Sequence, residues 1–159
     1  MNLLKWLDEN LEKFVLGVFL SIMVVVMGIQ VVARYVFNSS LTWSEELTRF
    51  IFVWSAFLTL PYTIKFGISL KIDQLLNLFT KDIRKVLNII SHILMLVFFI
   101  FMLYNATDVV RSAINSGQRS PAIGLPMYLI QVSSVVGFAL TIVRVLQSLV
   151  IYIRTTEKV

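Results

Sequence analysis

A run of twenty residues without a charge, residues 14–33, limits most strongly how this chain can fold. As a helix rising about 1.5 Å per residue, it would span the roughly 30 Å hydrocarbon core of a bilayer. Two more charge-free runs follow, at residues 86–107 and 120–143. The chain is also 58% hydrophobic and only 14% charged, which is unlike a soluble domain. The sequence therefore predicts an all-α integral membrane protein.

A fourth span has to be assembled from a shorter uncharged run, residues 50–64, which would cover only about 22 Å as a helix. Starting this helix at Thr42 supplies the missing length. Thr42 and Glu45 would then form a capping box, in which a hydroxyl and a carboxylate bind free amide groups at a helix start. Glu45 and Arg49 are four residues apart, the spacing of a helical ion pair. The sequence predicts a second transmembrane helix that begins with its charges paired.

Two segments, residues 1–13 and 71–85, have the apolar periodicity of helices but are too polar to cross a bilayer. Such helices typically lie along the membrane surface. The predicted interface anchors are Lys5, Trp6, Lys71, Lys81, Arg84 and Lys85. The predicted organisation is a single membrane domain, residues 1–159, with an N-terminal amphipathic helix over 1–13, spans over 14–36, 42–64, 86–107 and 122–152, and an interfacial segment over 71–85.

The basic residues predict the orientation of the chain. With a cytoplasmic N-terminus, ten Lys and Arg residues fall inside and four outside, as the positive-inside rule requires. The four outside are Arg34, Arg49, Arg111 and Arg119. Acidic residues near the N-terminus and the lack of a small-residue cleavage site predict that the first segment is retained. We expect a multi-pass protein with both termini in the cytoplasm.

The charge-free runs contain little that could perform chemistry. They hold no carboxylate, the chain has no cysteine, and His92 is its single histidine. One histidine is too few for a metal cage or a proton relay, and no phosphate-binding glycine loop occurs. The sequence predicts a protein that is not an enzyme and has no cofactor, with His92 hydrogen-bonded to a neighbouring helix. The basic residues lie between apolar runs, where they fit lipid headgroups rather than nucleic acid.

Residues near the ends of the second helix are candidates for contact with another protein. Glu45, Glu46 and Arg49 are either solvated headgroup residues or a docking site for a partner subunit. Trp54 and Pro61 belong to a polar face that fits packing within the bundle or, as a second possibility, a substrate pathway. Pro61 should free a backbone carbonyl that nearby hydroxyls can bind.

The connection at residues 116–126 contains two prolines and two glycines and should be tight. Pro126 suits the first turn of the following helix. The connection is therefore either a plain helix-initiating loop or a docking surface for an extracytoplasmic protein.

Three stretches resemble the small membrane subunit of TRAP transporters, the tripartite ATP-independent periplasmic uptake systems of bacteria (the DctQ-like family). Residues 43–50, which run into Trp54, are similar to the family's Glu-Glu, small residue, Arg start of helix two. Residues 67–73 are similar to a Gly, His, apolar-basic-apolar-Asp pattern, with Ser69 at the usual His position. Residues 120–126 are similar to the family's entry to helix four.

The resemblance implies a subunit of the bacterial inner membrane that does not itself carry the solute. In such systems a large membrane subunit moves substrate and sodium in an elevator motion, and a periplasmic binding protein delivers the substrate. The small subunit would brace the large one and help dock the binding protein. The implied solute is an organic anion, sialic acid before a C4-dicarboxylate. The partner-interface candidates are Trp43, Glu45, Glu46, Arg49, Trp54, Pro61, Asp73 and Pro121.

Two alternatives to this function remain at this point. A stand-alone four-helix exporter would resemble known exporters in having a carboxylate within helix one, and residues 14–33 contain none. A membrane assembly factor without a transport role is the other alternative.

Overall fold

A computed structural model describes residues 3–66 and 80–156 of the chain. It contains four helices: α1 (Leu3–Val36), α2 (Thr42–Lys65), α3 (Lys81–Ser116) and α4 (Tyr128–Thr156). Each includes a stretch that is long and apolar enough to cross a membrane. Within the described ranges, the only β-type pairing is an isolated bridge between Arg119 and Pro126. The predicted all-α class with four transmembrane helices is confirmed.

The helices form an open row rather than a closed bundle. α4 packs against both α2 and α3, and α1 packs mainly against α2. Side-chain contacts between helices show that α1 runs antiparallel to α2, and α3 antiparallel to α4. We use "hairpin end" for the end where α2 and α4 begin, and "terminal end" for the end where α1 and α3 begin.

The first helix is continuous, where the sequence suggested an amphipathic helix over 1–13 and a separate span over 14–36. Glu12 explains the difference. Its place on a polar face indicated a surface helix, but its carboxylate turns into the bundle and binds Arg144. The polar first turns and the apolar span are thus one helix, and the stretch suited to cross a membrane is Asn10–Val36.

α3 is longer than predicted at both ends, because it begins at Lys81 and ends at Ser116 instead of covering residues 86–107. Residues 81–85 thus belong to α3 and not to a separate interfacial segment, and residues 71–79 lie outside the described residues. The helix ends at Gly117, which takes a left-handed φ of 60° that favours glycine and donates its N–H to Ile114.

α2 and α4 approach closely where Phe57 faces Gly137. A Cβ built on Gly137 would lie 2.7 Å from the Cβ of Phe57 and 2.8 Å from its carbonyl oxygen. That carbonyl is the one left without a helical donor by Pro61, four residues later. The hydroxyls of Thr59 and Thr63 bind other carbonyls, so the predicted capping of the freed carbonyl by hydroxyls is wrong. The backbone of α4 lies beside it instead.

Candidate partner-docking site at the hairpin end

Residues 117–127 form a short hairpin between α3 and α4. Gly124, at a φ of 75°, donates its N–H to the carbonyl of Ser120 at 3.0 Å and closes the turn. Two further backbone bonds tie the arms together, Ser120 N–H to Leu125 O at 2.8 Å and Met127 N–H to Gln118 O at 2.9 Å. α4 consequently begins at Tyr128 rather than at residue 122, and Pro126 lies in the hairpin instead of the first helical turn.

The carboxylate of Glu46 holds the tip of this hairpin. Its Oε2 accepts the backbone N–H groups of Ala122 at 2.9 Å and Ile123 at 2.8 Å. Glu46 is only 8% exposed, and hydrogen bonds to an ionised carboxylate are stronger than neutral ones. Glu46 is therefore a structural link between α2 and the hairpin rather than a solvated headgroup residue.

Glu45 has a different partner from its neighbour. Its Oε1 accepts the side-chain amide of Gln30 on α1 at 2.7 Å, and Gln30 is buried. A buried amide without an acceptor is costly, which explains why Glu45 turns toward α1. In the described part of the chain, Arg49 is exposed and forms no ion pair with Glu45, so the predicted helical pair is wrong.

The predicted capping box at the start of α2 is also wrong. The N-cap residue is Leu41, which makes no side-chain cap bond, and Thr42 is already the first helical residue. The hydroxyl of Ser44 donates to the Leu41 carbonyl at 2.6 Å. Because Glu45 is engaged by α1, the carboxylate that the capping box requires is not free to turn back.

The remaining partner candidates divide into two groups. Trp54 donates its indole N–H to the carbonyl of Leu129 at 3.2 Å, and Pro61 is buried, so both contribute to packing between helices. Trp43 and Pro121 are exposed at the hairpin end. Asp73 lies outside the described residues.

The predicted membrane anchors lie mainly at the terminal end. Lys5 and Trp6 are in the first turns of α1, and Lys81 is the first residue of α3. Arg84 is half-buried and Lys85 is exposed, while Lys71 falls outside the described residues.

The structure shows an ionic cluster at the terminal end that was not predicted from the sequence. Oε1 of Glu12 accepts a hydrogen bond from Nε of Arg144 at 2.7 Å, and Oε2 lies 3.8 Å from Nζ of Lys65. Glu12 is 6% exposed, so three helices meet around a buried carboxylate. The sequence does contain a signal for this cluster. Arg144 directly follows the charge-free run of α4, and Glu12 lies just before that of α1, so the antiparallel order of the helices predicted here would bring both to the same side of the membrane.

His92 links α3 to α4. Its Nδ1 is 2.8 Å from the carbonyl oxygen of Asn88, which can only accept a hydrogen bond, so Nδ1 carries the hydrogen and donates it. In the neutral ring Nε2 then accepts the hydroxyl of Ser148 at 3.1 Å. The interpretation of His92 as a hydrogen-bonding link to a neighbouring helix is confirmed.

Comparison with known proteins identifies the family. Residues 23–155 match the model described as "Tripartite ATP-independent periplasmic transporters, DctQ component". The chain belongs to the DctQ family. A putative TRAP transporter small permease protein of Haemophilus influenzae is 30% identical over 146 residues, which cover 87% of this chain and 84% of that relative.

Two further relatives of this DctQ chain carry names of different solutes. The isethionate TRAP transporter permease protein DctMQ of Oleidesulfovibrio alaskensis is 29% identical over 154 residues. The match covers 93% of this chain and 24% of DctMQ, so the chain spans about a quarter of that relative. The ectoine TRAP transporter small permease protein TeaB of Halomonas elongata is 22% identical over 135 residues, 85% of this chain and 70% of TeaB.

Two of the three stretches that resemble DctQ proteins meet in space. Glu46 belongs to the stretch at residues 43–50, and the amides that it binds belong to the stretch at residues 120–126. The third stretch, residues 67–73, lies outside the described residues. Glu46, the second residue of the acidic pair at the start of α2, thus binds the proline- and glycine-containing entry to α4 directly.

Proposed function

We propose that this DctQ protein is the non-translocating scaffold subunit of a sodium-coupled TRAP uptake transporter for an organic anion. It would brace a large elevator-type membrane subunit and help dock a periplasmic binding protein. The observation that supports the proposal is that polar side chains between the helices are bound by other groups of the same chain. Glu12, Glu46 and His92 are each bound by groups of this same chain. A translocation path would instead turn such groups toward the solute.

The exposed apolar surfaces of the helices are available to lipid and to a membrane partner, and the lengths of two relatives support the partner. In the most apolar stretch of α3 none of the residues is buried, and in that of α1 11% are. DctMQ and the sialic acid permease SiaT of Haemophilus influenzae match this chain over only 24% and 14% of their length. In these relatives a DctQ-like region is thus part of a much longer permease chain, as expected if the two subunits work side by side.

The proposed solute is a sialic acid or a C4-dicarboxylate, and its selection is assigned to the other subunits. Relatives of this chain are named for isethionate, C4-dicarboxylates, sialic acid and ectoine. The small permease proteins among them are named for solutes as different as C4-dicarboxylates and ectoine, which supports the proposal that this subunit does not select the solute. The proposed orientation places the hairpin end outside the bacterial inner membrane and both termini in the cytoplasm, with four arginines outside.

Co-purification tests the scaffold proposal. A tagged copy of this chain, co-expressed with a candidate large TRAP membrane subunit, should recover that subunit through detergent extraction because the two proteins share an interface in the membrane. An untagged copy is the control for nonspecific recovery. Recovery of this chain alone, under conditions in which both subunits are made and inserted, would contradict the proposal.

A further inference from the structure

Two contacts fix how α1 and α3 are aligned along the helix row. Glu12 of α1 binds Arg144 of α4 at 2.7 Å. One helical turn nearer the terminal end, the hydroxyl of Ser148 lies 3.1 Å from Nε2 of His92 on α3. Because α3 runs antiparallel to α4, the height of Arg144 along the row corresponds to about residue 96 of α3. Glu12 is therefore at about the height of residue 96, and we call residues at the same height level.

The charge-free runs of α1 and α3 are consequently staggered. The run of α1, residues 14–33, begins next to Glu12, whereas the run of α3, residues 86–107, begins about ten residues nearer the terminal end. At 1.5 Å per residue the stagger is about 15 Å, or roughly half of the hydrocarbon core. The two runs have similar lengths, so their hairpin ends are staggered by a similar amount in the same direction.

α2 lies between these helices in the row and has an intermediate boundary at the hairpin end. Its Lys65 is 3.8 Å from Glu12, and Arg49 lies about 24 Å nearer the hairpin end on the same helix. Arg49 is therefore about 7 Å short of the end of the charge-free run of α1 and about 7 Å beyond the end of that of α3. The boundary marked by the charges thus descends from α1 over α2 to α3.

No bilayer perpendicular to the helices covers both charge-free runs. A bilayer placed on the run of α1 would leave the first turns of the α3 run in water, where Val86, Ile90 and Ile93 are exposed. A bilayer placed on the run of α3 would put the exposed side chain of Lys13 near the midplane. Apolar surface in water and ionisable side chains at that depth are both costly.

We infer that the helix row lies inclined in the bilayer, so that its surface for lipid contact is an oblique belt. The stagger of about 15 Å develops over two to three interhelical distances of 8–10 Å, which gives an inclination of roughly 30–40°. Transmembrane helices are found with tilts up to about 40°. The phospholipid headgroups of one leaflet meet Lys13 of α1 and Lys85 of α3, which are both exposed. Those of the other leaflet meet Arg34 of α1 and Asp108 of α3.

A pair of level spin labels tests the inclination at the hairpin end. The chain has no cysteine, so each variant carries a single thiol. Ile29 of α1 and Ile114 of α3 are nearly level and are 50% and 55% exposed. Nitroxide-labelled Ile29→Cys and Ile114→Cys, each in liposomes, are compared by power saturation with oxygen and with an aqueous nickel chelate. The inclined row predicts the Ile29 label in the hydrocarbon and the Ile114 label in water, about 10–15 Å apart in depth.

A second level pair tests the terminal end. Phe14 of α1 and Phe98 of α3 are both exposed, and both become labelled cysteines in the same way. The inclined row predicts the Phe98 label near the bilayer midplane and the Phe14 label at the edge of the hydrocarbon. An upright row predicts equal depths within each pair. Equal depths, or the reverse order, would overturn the inference.

Polarised infrared spectroscopy measures the inclination without any substitution. The unmodified chain is reconstituted in oriented bilayers, and the dichroism of its amide bands gives the mean angle between the helices and the bilayer normal. The inclined row predicts a mean angle of roughly 30–40°. A mean angle below about 25° would contradict the inference even if a spin label had disturbed the fold.

Discussion

Replacement of Glu12 by Ala should lower the free energy of unfolding by about 3 kcal/mol, the range observed when one partner of a buried ion pair is removed. The substitution leaves Arg144 and Lys65, whose side chains are 12% and 15% exposed, close together without their shared carboxylate. Two partly buried cations then repel each other in a poorly solvated place. Unfolding of the purified chain in mixed micelles, followed by circular dichroism, measures the change.

Lys13→Ala is the control for Glu12→Ala, because Lys13 is adjacent in sequence and exposed. Its substitution should change the free energy of unfolding by less than about 0.5 kcal/mol, as is usual for surface positions. The double variant Glu12→Leu with Arg144→Met should recover most of the loss, since apolar replacement of a buried pair is often neutral. If Glu12→Ala and Lys13→Ala have the same effect, the cluster does not stabilise the fold.

Gly137→Ala should destabilise the contact between α2 and α4 by about 2 kcal/mol, because overpacking a close contact costs roughly 1–3 kcal/mol. The added methyl group would lie under 3 Å from the backbone oxygen of Phe57, which a rotamer change cannot move. The helices must separate at a point where Pro61 has left that oxygen without a helical donor. The same unfolding measurement in micelles detects the loss.

Gly28→Ala provides the matched control for Gly137→Ala. Both glycines lie within helices, but nothing lies within 4 Å of a Cβ built on Gly28. There the substitution should leave stability unchanged or raise it by up to about 1 kcal/mol through helix propensity. A Gly137→Ala variant as stable as Gly28→Ala would contradict the close approach of α2 and α4.

The transmembrane helices were predictable because the bilayer imposes a length that charge-free runs reveal directly. Residues 14–33 and 86–107 needed no tertiary information to be recognised as spans. The ends of the helices were less predictable, because they depend on partners that are distant in sequence. The polar face of α1 that suggested a separate surface helix includes Glu12, and the carboxylate of Glu12 binds Arg144, 132 residues later.

The sequence predicted which residues belong to the candidate site but not which of them are in contact. Glu46 and Pro121 were both candidates from sequence, yet no local rule indicates that the carboxylate of one binds the amides beside the other. The same limit explains the incorrect capping box. The box is a local motif, and its carboxylate, that of Glu45, binds Gln30 on α1 instead. Glu45 was free to cap its own helix only if Gln30 had found another acceptor.

Uptake by proteoliposomes tests the scaffold account most directly. Vesicles containing this chain alone, the large subunit with this chain, or both with the binding protein are given a sodium gradient and labelled sialic acid or C4-dicarboxylate. The account predicts sodium-dependent uptake only when all three proteins are present. Accumulation of either solute by vesicles that contain this chain alone would contradict it, because the polar groups that we assign to packing would then have to line a path.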